Sequence, residues 1–140
     1  MIRSYINKKL DKREVYIMYL HRLKKVKIGI SDDPERRENE VEKSFGKTRT
    51  WMALNFIGAK AIERRMHRFF KSYHAPEKQG SGRTELFKIP FFLRWQVVAV
   101  LWLMKVEQII LSWLFFAATV WVSWTFRFEI LELIRIIINL

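Results

Sequence analysis

The stretch that decides the fold is EVYIMYLHRLKKVKIGIS, residues 14–31. In its two outer parts, EVYIMYL (residues 14–20) and KVKIGIS (residues 25–31), successive side chains fall on opposite faces at the period of two that is typical of a strand. The segment HRLK between them is short enough for a hairpin connection. The stretch therefore predicts two antiparallel strands and a sheet at the centre of the domain.

The residues that follow predict two helices and two more strands. In DDPERRENEVEK, Asp33 can accept hydrogen bonds from the first backbone amides of a helix, and Pro34 fits its first turn. TWMALNFI (residues 50–57) predicts a third strand, and ELFKI (residues 85–89) a short last one. AKAIERRMHRFFKSYH (residues 59–74) predicts an amphipathic helix. Its expected buried residues are Ile62, Met66, Phe69, Phe70 and Tyr73. The fold class is therefore α+β, with a three- to four-stranded antiparallel sheet flanked by helices.

Length, charge and cysteine content limit the possible functions. The chain has 140 residues, which allows one small domain and an appendage but excludes a large multidomain enzyme. Its 26 Lys and Arg against 14 Asp and Glu give a net charge of +12, so we expect a phosphate-rich partner or an acidic membrane surface. Because the chain contains no cysteine, disulfide scaffolds, thiolate zinc sites and cysteine nucleophiles are excluded.

The chain divides by composition into residues 1–90 and residues 91–140. The first part holds 22 of the 26 basic side chains, whereas the second is nearly all apolar. Within it, IILSWLFFAATVWVSWTF (residues 109–126) runs without a charge, about the length needed to cross a ~30 Å hydrocarbon core. We therefore predict a membrane anchor whose span covers about residues 108–126. A two-span hairpin, or a buried helical hairpin in a soluble oligomer, are the alternatives.

The residues on either side of the span predict its orientation and its end. In FEILELIRIIINL, the charged residues Glu129, Glu132 and Arg135 recur every three residues, which predicts a terminal amphipathic helix that lies at the interface or packs on a protein partner. Because the basic residues precede the span, the positive-inside tendency places the N-terminal domain in the cytoplasm, at a membrane such as the bacterial inner membrane.

The order of the motifs resembles that of a known family. Six features follow one another along the chain: a strand with YI, a hairpin to KIGIS, a helix that opens with DPERR, a third strand, a helix with A-x-x-x-E-x-x-x-H and a final TELF strand. This order resembles the GIY-YIG endonuclease superfamily, in particular its phage and bacterial branch related to the meiotically up-regulated-gene domains. The resemblance covers about residues 15–89 and implies a metal-dependent phosphodiester hydrolase. Arg13 departs from it at the usual first-motif glycine, and the family's terminal asparagine is not evident near TELF.

The resemblance also implies a catalytic site. Tyr16, as the first-motif tyrosine, would orient or deprotonate the attacking water. Lys27 stands where the second-motif tyrosine is usual and would lower a pKa or bind phosphate, while Gly29 matches the glycine of that motif. Arg37, with Arg36 as the alternative, would clamp the scissile phosphate.

Acidic and histidine residues complete the implied site. Glu63 would hold one Mg²⁺ or Mn²⁺ ion, because a hard cation accepts a single carboxylate together with water and phosphate oxygens. His67, one turn later, would act as a proton shuttle or as a support. Glu85 would be a second acidic site residue or the partner of one of the arginines. A structural interpretation stands beside each role: Tyr16 as a packed strand aromatic, Lys27 and the arginines as solvated charges, and Glu63 as a surface carboxylate.

We expect DNA binding to be mainly non-specific, through phosphate contacts of a broad basic surface. Its candidate residues are Lys24, Lys25, Arg36, Lys60, Arg64 and Arg68. The same charges could attract anionic lipid. The sequence thus predicts a membrane-anchored, metal-dependent DNA endonuclease that meets foreign DNA, in phage defence or superinfection exclusion. The alternatives are a non-catalytic, membrane-tethered DNA-binding module and a membrane-active protein that blocks entry.

Overall fold

The structure, a computed structural model, describes residues 13–79 and 83–138. One antiparallel sheet of four strands, in the order β3-β1-β2-β4, lies at its centre. The strands are β1 (Arg13–Leu20), β2 (Lys25–Ser31), β3 (Thr48–Phe56) and β4 (Leu86–Phe87). The helices of the described part are α1 (Pro34–Phe45), α2 (Ala59–Phe69) and α3 (Arg94–Ile138). This architecture confirms the α+β class and the antiparallel sheet.

The predicted hairpin forms the middle of the sheet. β1 pairs with β2 so that Tyr16 lies opposite Gly29 and Met18 opposite Lys27. On its other side, β1 pairs with β3 along its whole length. Because β1 has a neighbour on each side and apolar packing on each face, its successive residues Val15 and Tyr16 are both buried. Apolar residues on both faces of the strand are the sequence signature of this central position.

Apolar residues pack on both faces of the sheet. One cluster unites Tyr16, Met18, Leu20, Val41, Phe45 and Leu86, so α1 covers this face. The other contains Val15, Ile17, Val26, Ile28, Phe56, Met66, Phe70, Phe87, Val97, Leu101 and Met104. The second cluster draws residues from α2 and from the first turns of α3. The compact unit that contains the sheet accordingly runs to Lys105, beyond the composition boundary at residues 90 and 91, which stays a prediction.

Local signals determine where α1 begins and ends. The Asp33 side chain accepts a hydrogen bond from the backbone N–H of Arg36 at 2.9 Å, and Pro34 occupies the first turn, as predicted. The helix ends at Gly46, whose φ of 78° is a conformation that favours glycine. These ends fix which residues α1 turns toward the sheet, and Arg37 is among them.

The structure corrects the predicted ends of two other elements. α2 ends at Phe69, and a 3₁₀ turn, Lys71–Tyr73, follows it. Phe69 was expected to be buried but is 64% exposed, because the row at i, i+4 that ends in Phe70 faces the core. The last strand is two residues long rather than five, since Glu85 belongs to a preceding 3₁₀ turn and the Lys88 N–H donates to the carbonyl of Tyr73 outside the sheet.

A second unit begins at Val106 and consists of the remainder of α3. Its large apolar side chains are exposed wherever they are described; examples are Leu114, Phe115 and Trp121. Within Phe91–Phe128 an 18-residue window has a mean hydropathy of 1.7, so this helix is long and apolar enough to cross a membrane. The predicted terminal amphipathic stripe falls partly on Glu129 and Glu132, whose side chains lie outside the described residues, so it stays a prediction.

The contribution of α3 to the domain core can be tested with two leucines of the same helix. Leu101 is fully buried in the core, whereas Leu103 is 58% exposed. We expect Leu101→Ala in the full chain to lower the free energy of unfolding by about 2–5 kcal/mol, because it leaves a cavity. Leu103→Ala should change it by less than about 0.5 kcal/mol. Denaturant unfolding in detergent measures both, and equal effects would contradict the assigned core.

Candidate active site

The predicted site residues meet where β2 runs past the end of the short strand β4. β4 pairs only with Val26 and Lys27, so the rest of this edge of β2 is open. Tyr16 comes from β1, Lys27 and Gly29 from β2, and Glu85 from the turn before β4. Arg37 reaches the group from α1 and Glu63 from α2. Six residues that are far apart in sequence thus surround one edge of the sheet.

Tyr16 is packed tightly against Gly29. It is 1% exposed, and a Cβ atom added at Gly29 would lie 2.6 Å from the tyrosine Oη and 3.1 Å from a Glu85 carboxylate oxygen. Only glycine leaves this space free. Burial, together with the negative charge of Glu85, raises the pKa of Tyr16 to about 12 against the opposing hydrogen bond from Arg37. The hydroxyl is therefore neutral at physiological pH and can both donate and accept a hydrogen bond.

Lys27 is a fully buried cation whose ammonium pairs with the Glu85 carboxylate. Burial lowers the pKa of Lys27, and the charge of Glu85 and its hydrogen bond act in the opposite direction. The ammonium also lies 5.9 Å from the centre of the Tyr16 ring. A lysine is thus a partner of Glu85, for which the two expected roles were a second acidic site residue and the partner of an arginine. The expectation that Lys27 could be a solvated charge is wrong.

Arg37, and not its neighbour Arg36, lies beside Tyr16. Its Nε donates to the Tyr16 hydroxyl at 3.4 Å, and its Nη1 donates to Glu40 at 2.8 Å. Burial alone would lower the pKa of Arg37, but these two hydrogen bonds raise it, so the guanidinium stays charged. The Arg36 side chain is 72% exposed, and its Nε lies 3.7 Å from a Glu40 carboxylate oxygen.

Glu63 faces the same group of residues from α2. Burial and the negative charge of Glu85 raise its pKa, while His67, Lys27 and Arg13 oppose the rise. A half-buried carboxylate in this situation gains from a nearby cation. The described residues contain no cluster of three or more His, Cys, Asp or Glu side chains. Glu63, supplemented by water and phosphate oxygens, is the donor set that Mg²⁺ or Mn²⁺ accepts, so these residues fit such an ion.

His67 lies one turn from Glu63 and is tied to the sheet. Its Nε2 is 2.9 Å from the carbonyl oxygen of Ile28, which can only accept, so Nε2 carries a proton. The ring also meets Phe87 edge to face, with centroids 5.1 Å apart. These contacts hold α2 against the open part of β2 and favour the supporting role among the two expected for His67.

The predicted DNA-binding residues differ in solvent exposure. Lys25 is largely buried; its Nζ donates to the Ala75 carbonyl at 2.8 Å and pairs with Glu77 at 2.6 Å. The others are exposed: Lys24, Arg36, Lys60, Arg64 and Arg68. Arg64 and Arg68 line a cleft of about 660 Å³ whose lining also includes His74, for which no role was predicted. The 3₁₀ turn that places His74 there has no signal in the sequence pattern.

The dependence of Lys27 on Glu85 gives a stability prediction. Glu85→Gln removes the carboxylate that pairs with the buried Lys27 ammonium, so we expect the free energy of unfolding at pH 7 to fall by about 1–3 kcal/mol. The pKa of Lys27 should fall further, because Glu85 now raises it. Glu42→Gln, at an exposed position on α1, is the matched control. Denaturant unfolding and the ¹⁵N shift of the lysine measure the two effects; an unchanged lysine pKa would contradict the pairing.

Comparison with known proteins corrects the family assignment. The family model that matches is that of the T5orf172 domain, over residues 8–113, and not one of the GIY-YIG superfamily, so the resemblance inferred from the motifs is withdrawn. No curated protein and no solved structure matches the chain. The T5orf172 domain is associated with endonuclease-like proteins, which indicates a nuclease or DNA-binding role. Since the match covers more than half of the chain, the protein belongs to the T5orf172 domain family.

Proposed function

We propose that this protein is a membrane-anchored, metal-dependent endonuclease that hydrolyses phosphodiester bonds in DNA. The observation that carries the proposal is the convergence of Tyr16, Lys27, Arg37 and Glu63 on one open sheet edge. Phosphodiester hydrolysis needs an oriented water, positive charge at the phosphate oxygens and stabilisation of the leaving oxygen. A hydroxyl, two cations and a carboxylate in one place can supply these functions.

Arg37 is the residue best placed to hold the scissile phosphate. Its side chain is 25% exposed, always charged and already oriented by Tyr16 and Glu40. A guanidinium binds two phosphate oxygens at once, which fixes the direction of the phosphorus–oxygen bond to be cleaved. Arg36 is more exposed and belongs to the surrounding basic surface instead.

Tyr16 and Lys27 have complementary roles in this proposal. Since the pKa of Tyr16 is about 12, its neutral hydroxyl orients the attacking water through hydrogen bonds and does not serve as a strong base. Lys27, held as an ammonium by Glu85, adds positive charge beneath the site without occupying its surface. Together they prearrange charge and hydrogen bonds, so little reorganisation accompanies the reaction.

Glu63 would hold the metal ion, Mg²⁺ or Mn²⁺. Such an ion, when bound, supplies positive charge at the phosphate and makes a bound water more acidic. His67 supports Glu63 by fixing α2 against β2 through the Ile28 carbonyl. This assignment uses a carboxylate that the protein keeps half-buried at a cost, as its raised pKa indicates.

The partners follow from charge and hydropathy. The basic domain favours DNA, and α3 favours a lipid bilayer, which its exposed apolar side chains would contact. We place the domain on the cytoplasmic side, following the positive-inside tendency, at the inner membrane of a bacterium. A nuclease held there would meet foreign DNA as it enters, which suits phage defence or superinfection exclusion.

A plasmid assay tests the catalytic proposal. We expect the detergent-solubilised full chain to nick supercoiled plasmid with Mg²⁺ or Mn²⁺ and to stop in EDTA. Glu63→Ala should reduce cutting by at least about 100-fold, because it removes the metal ligand. Glu42→Ala, in an exposed carboxylate on α1, should leave it unchanged. A folded parent protein that binds DNA but never cuts it would support the non-catalytic tether instead.

Extraction from membranes tests the anchor. Residues 114–120 lie in the predicted span, so we expect the full chain to stay in the membrane pellet after alkaline carbonate treatment. Leu114→Arg together with Ala118→Arg should move it to the supernatant, since each charge at the bilayer centre costs about 2.5–3.5 kcal/mol. The same pair of changes at the exposed positions Asn39 and Glu42 serves as a control. Parent protein found in the supernatant would refute the anchor.

A further inference from the structure

A basic cleft lies along α2, next to the candidate active site. It measures about 660 Å³, within the range of ligand sites in proteins. Its polar lining consists of Arg64, His67, Arg68, Lys71 and His74, and Ala61 and Phe87 contribute the apolar part. Among the described residues, no carboxylate side chain lines this cleft. A concave surface with several cations and no anion is suited to a negatively charged ligand.

The three permanent cations of the cleft are available for such a ligand. Arg64, Arg68 and Lys71 are exposed, and none of them has an ion-pair or hydrogen-bond partner among the described side chains. Elsewhere in the domain, cations such as Lys25 and Arg37 are paired with Glu77 and Glu40. The cleft therefore concentrates positive charge that the fold itself does not neutralise.

The wall of the cleft is held rigid. His67 Nε2 lies 2.9 Å from the Ile28 carbonyl oxygen, and His74 Nε2 lies 2.6 Å from that of Thr84. Phe87 lies between the two imidazoles, with ring centroids 5.1 Å and 5.6 Å away. Because both histidines are fixed by backbone contacts and by one buried ring, the cations face a preformed wall and not a mobile loop.

We infer that this cleft is a second phosphate site, which binds a phosphodiester of the DNA strand beside the one that is cleaved. The inference rests on the proposed function, since it takes Glu63 as the reaction centre. His67, which lines the cleft, lies one helical turn from Glu63, about 6 Å along α2, and Arg68 is turned further around the helix toward the cleft. This offset is of the order of one nucleotide step of a strand, so one phosphate can occupy each site.

The second site would give the enzyme a direction along the strand. Arg37 reaches the group of site residues from α1, whereas the cleft begins at His67, one turn after Glu63 on α2. A strand held by both would extend from the cut toward Lys71 on one side only. The cleft reads no base edges, so it adds affinity and polarity but no sequence preference.

The test compares two pairs of cations in the full chain, solubilised in detergent. Arg68→Ala with Lys71→Ala removes two charges from the cleft, and Arg22→Ala with Lys43→Ala removes two exposed charges elsewhere. Binding to a fluorescent 25-base-pair duplex is measured without divalent metal over a range of salt. We expect the cleft pair to weaken binding at least about tenfold and to reduce the salt slope by about 1–2, and the control pair to have much smaller effects.

A neutral phosphate analogue then locates the contact. A single methylphosphonate is moved along one strand of the duplex, and we expect the parent to lose affinity at a position adjacent to the cut. The cleft variant should show no further loss there, because the contact is already absent. Equal losses for both cation pairs, or a methylphosphonate effect that persists in the cleft variant, would overturn the inference.

The outcomes separate this inference from the proposed function. If the parent never cuts but the cleft pair still weakens binding selectively, the endonuclease fails and the phosphate site stands. If cutting occurs and the cleft pair binds DNA like the parent, the phosphate site is refuted while the endonuclease stands. If the cleft variant binds DNA like the parent but binds short-chain phosphatidylglycerol more weakly than the parent, the cleft takes a lipid phosphate, which also overturns the inference.

Discussion

The ion pair between Lys27 and Glu85 is the constraint on which the site depends. An ammonium with no solvent exposure is unfavourable unless a counter-charge accompanies it, so the chain must return to β2 58 residues later to supply one. That return forms β4, which is only long enough to bring Glu85 to Lys27. Gly29 then leaves free the space beside both the Tyr16 hydroxyl and this carboxylate. The buried pair thus sets both the length of the last strand and the packing of the tyrosine.

The short β4 leaves part of the β2 edge open, and the candidate site residues lie at this open part. An unpaired edge exposes backbone groups that invite association with other strands. Here the carbonyl of Ile28, the first residue beyond β4, accepts from His67 and is satisfied by a side chain. The same hydrogen bond brings α2 close enough for Glu63 to face Tyr16 and Lys27. Closing the edge with a longer β4 would satisfy the backbone equally well but would cover the residues on which the proposed chemistry depends.

The sequence predicts those structural features that residues close together in the chain determine. The alternation in residues 14–31 predicts the hairpin, and Asp33 with Pro34 predicts the start of α1, which in turn places Arg37. The partner of Glu85 depends on a contact across 58 residues, and no spacing rule gives it. For the same reason the pattern missed His74, whose position depends on the turn before β4. The motif order led to the GIY-YIG superfamily where the family model gives the T5orf172 domain, because short motifs carry less information than a match over most of the chain.

The surroundings of α3 differ between its first turns and its later ones. Val97, Leu101 and Met104 follow one another at the spacing of one helical face, and all are buried in the domain core. Between Ile109 and Phe126 the side chains carry no charge, and the large apolar ones are exposed. A helix that is apolar all round needs a non-aqueous environment or a complete protein shell. Lys105 lies between the buried part of α3 and the exposed apolar part, and its ammonium donates a hydrogen bond to the carbonyl of Asn55. The next basic residue along the chain is Arg127. A polar residue at this point agrees with the proposed span, whose end would lie at a bilayer surface.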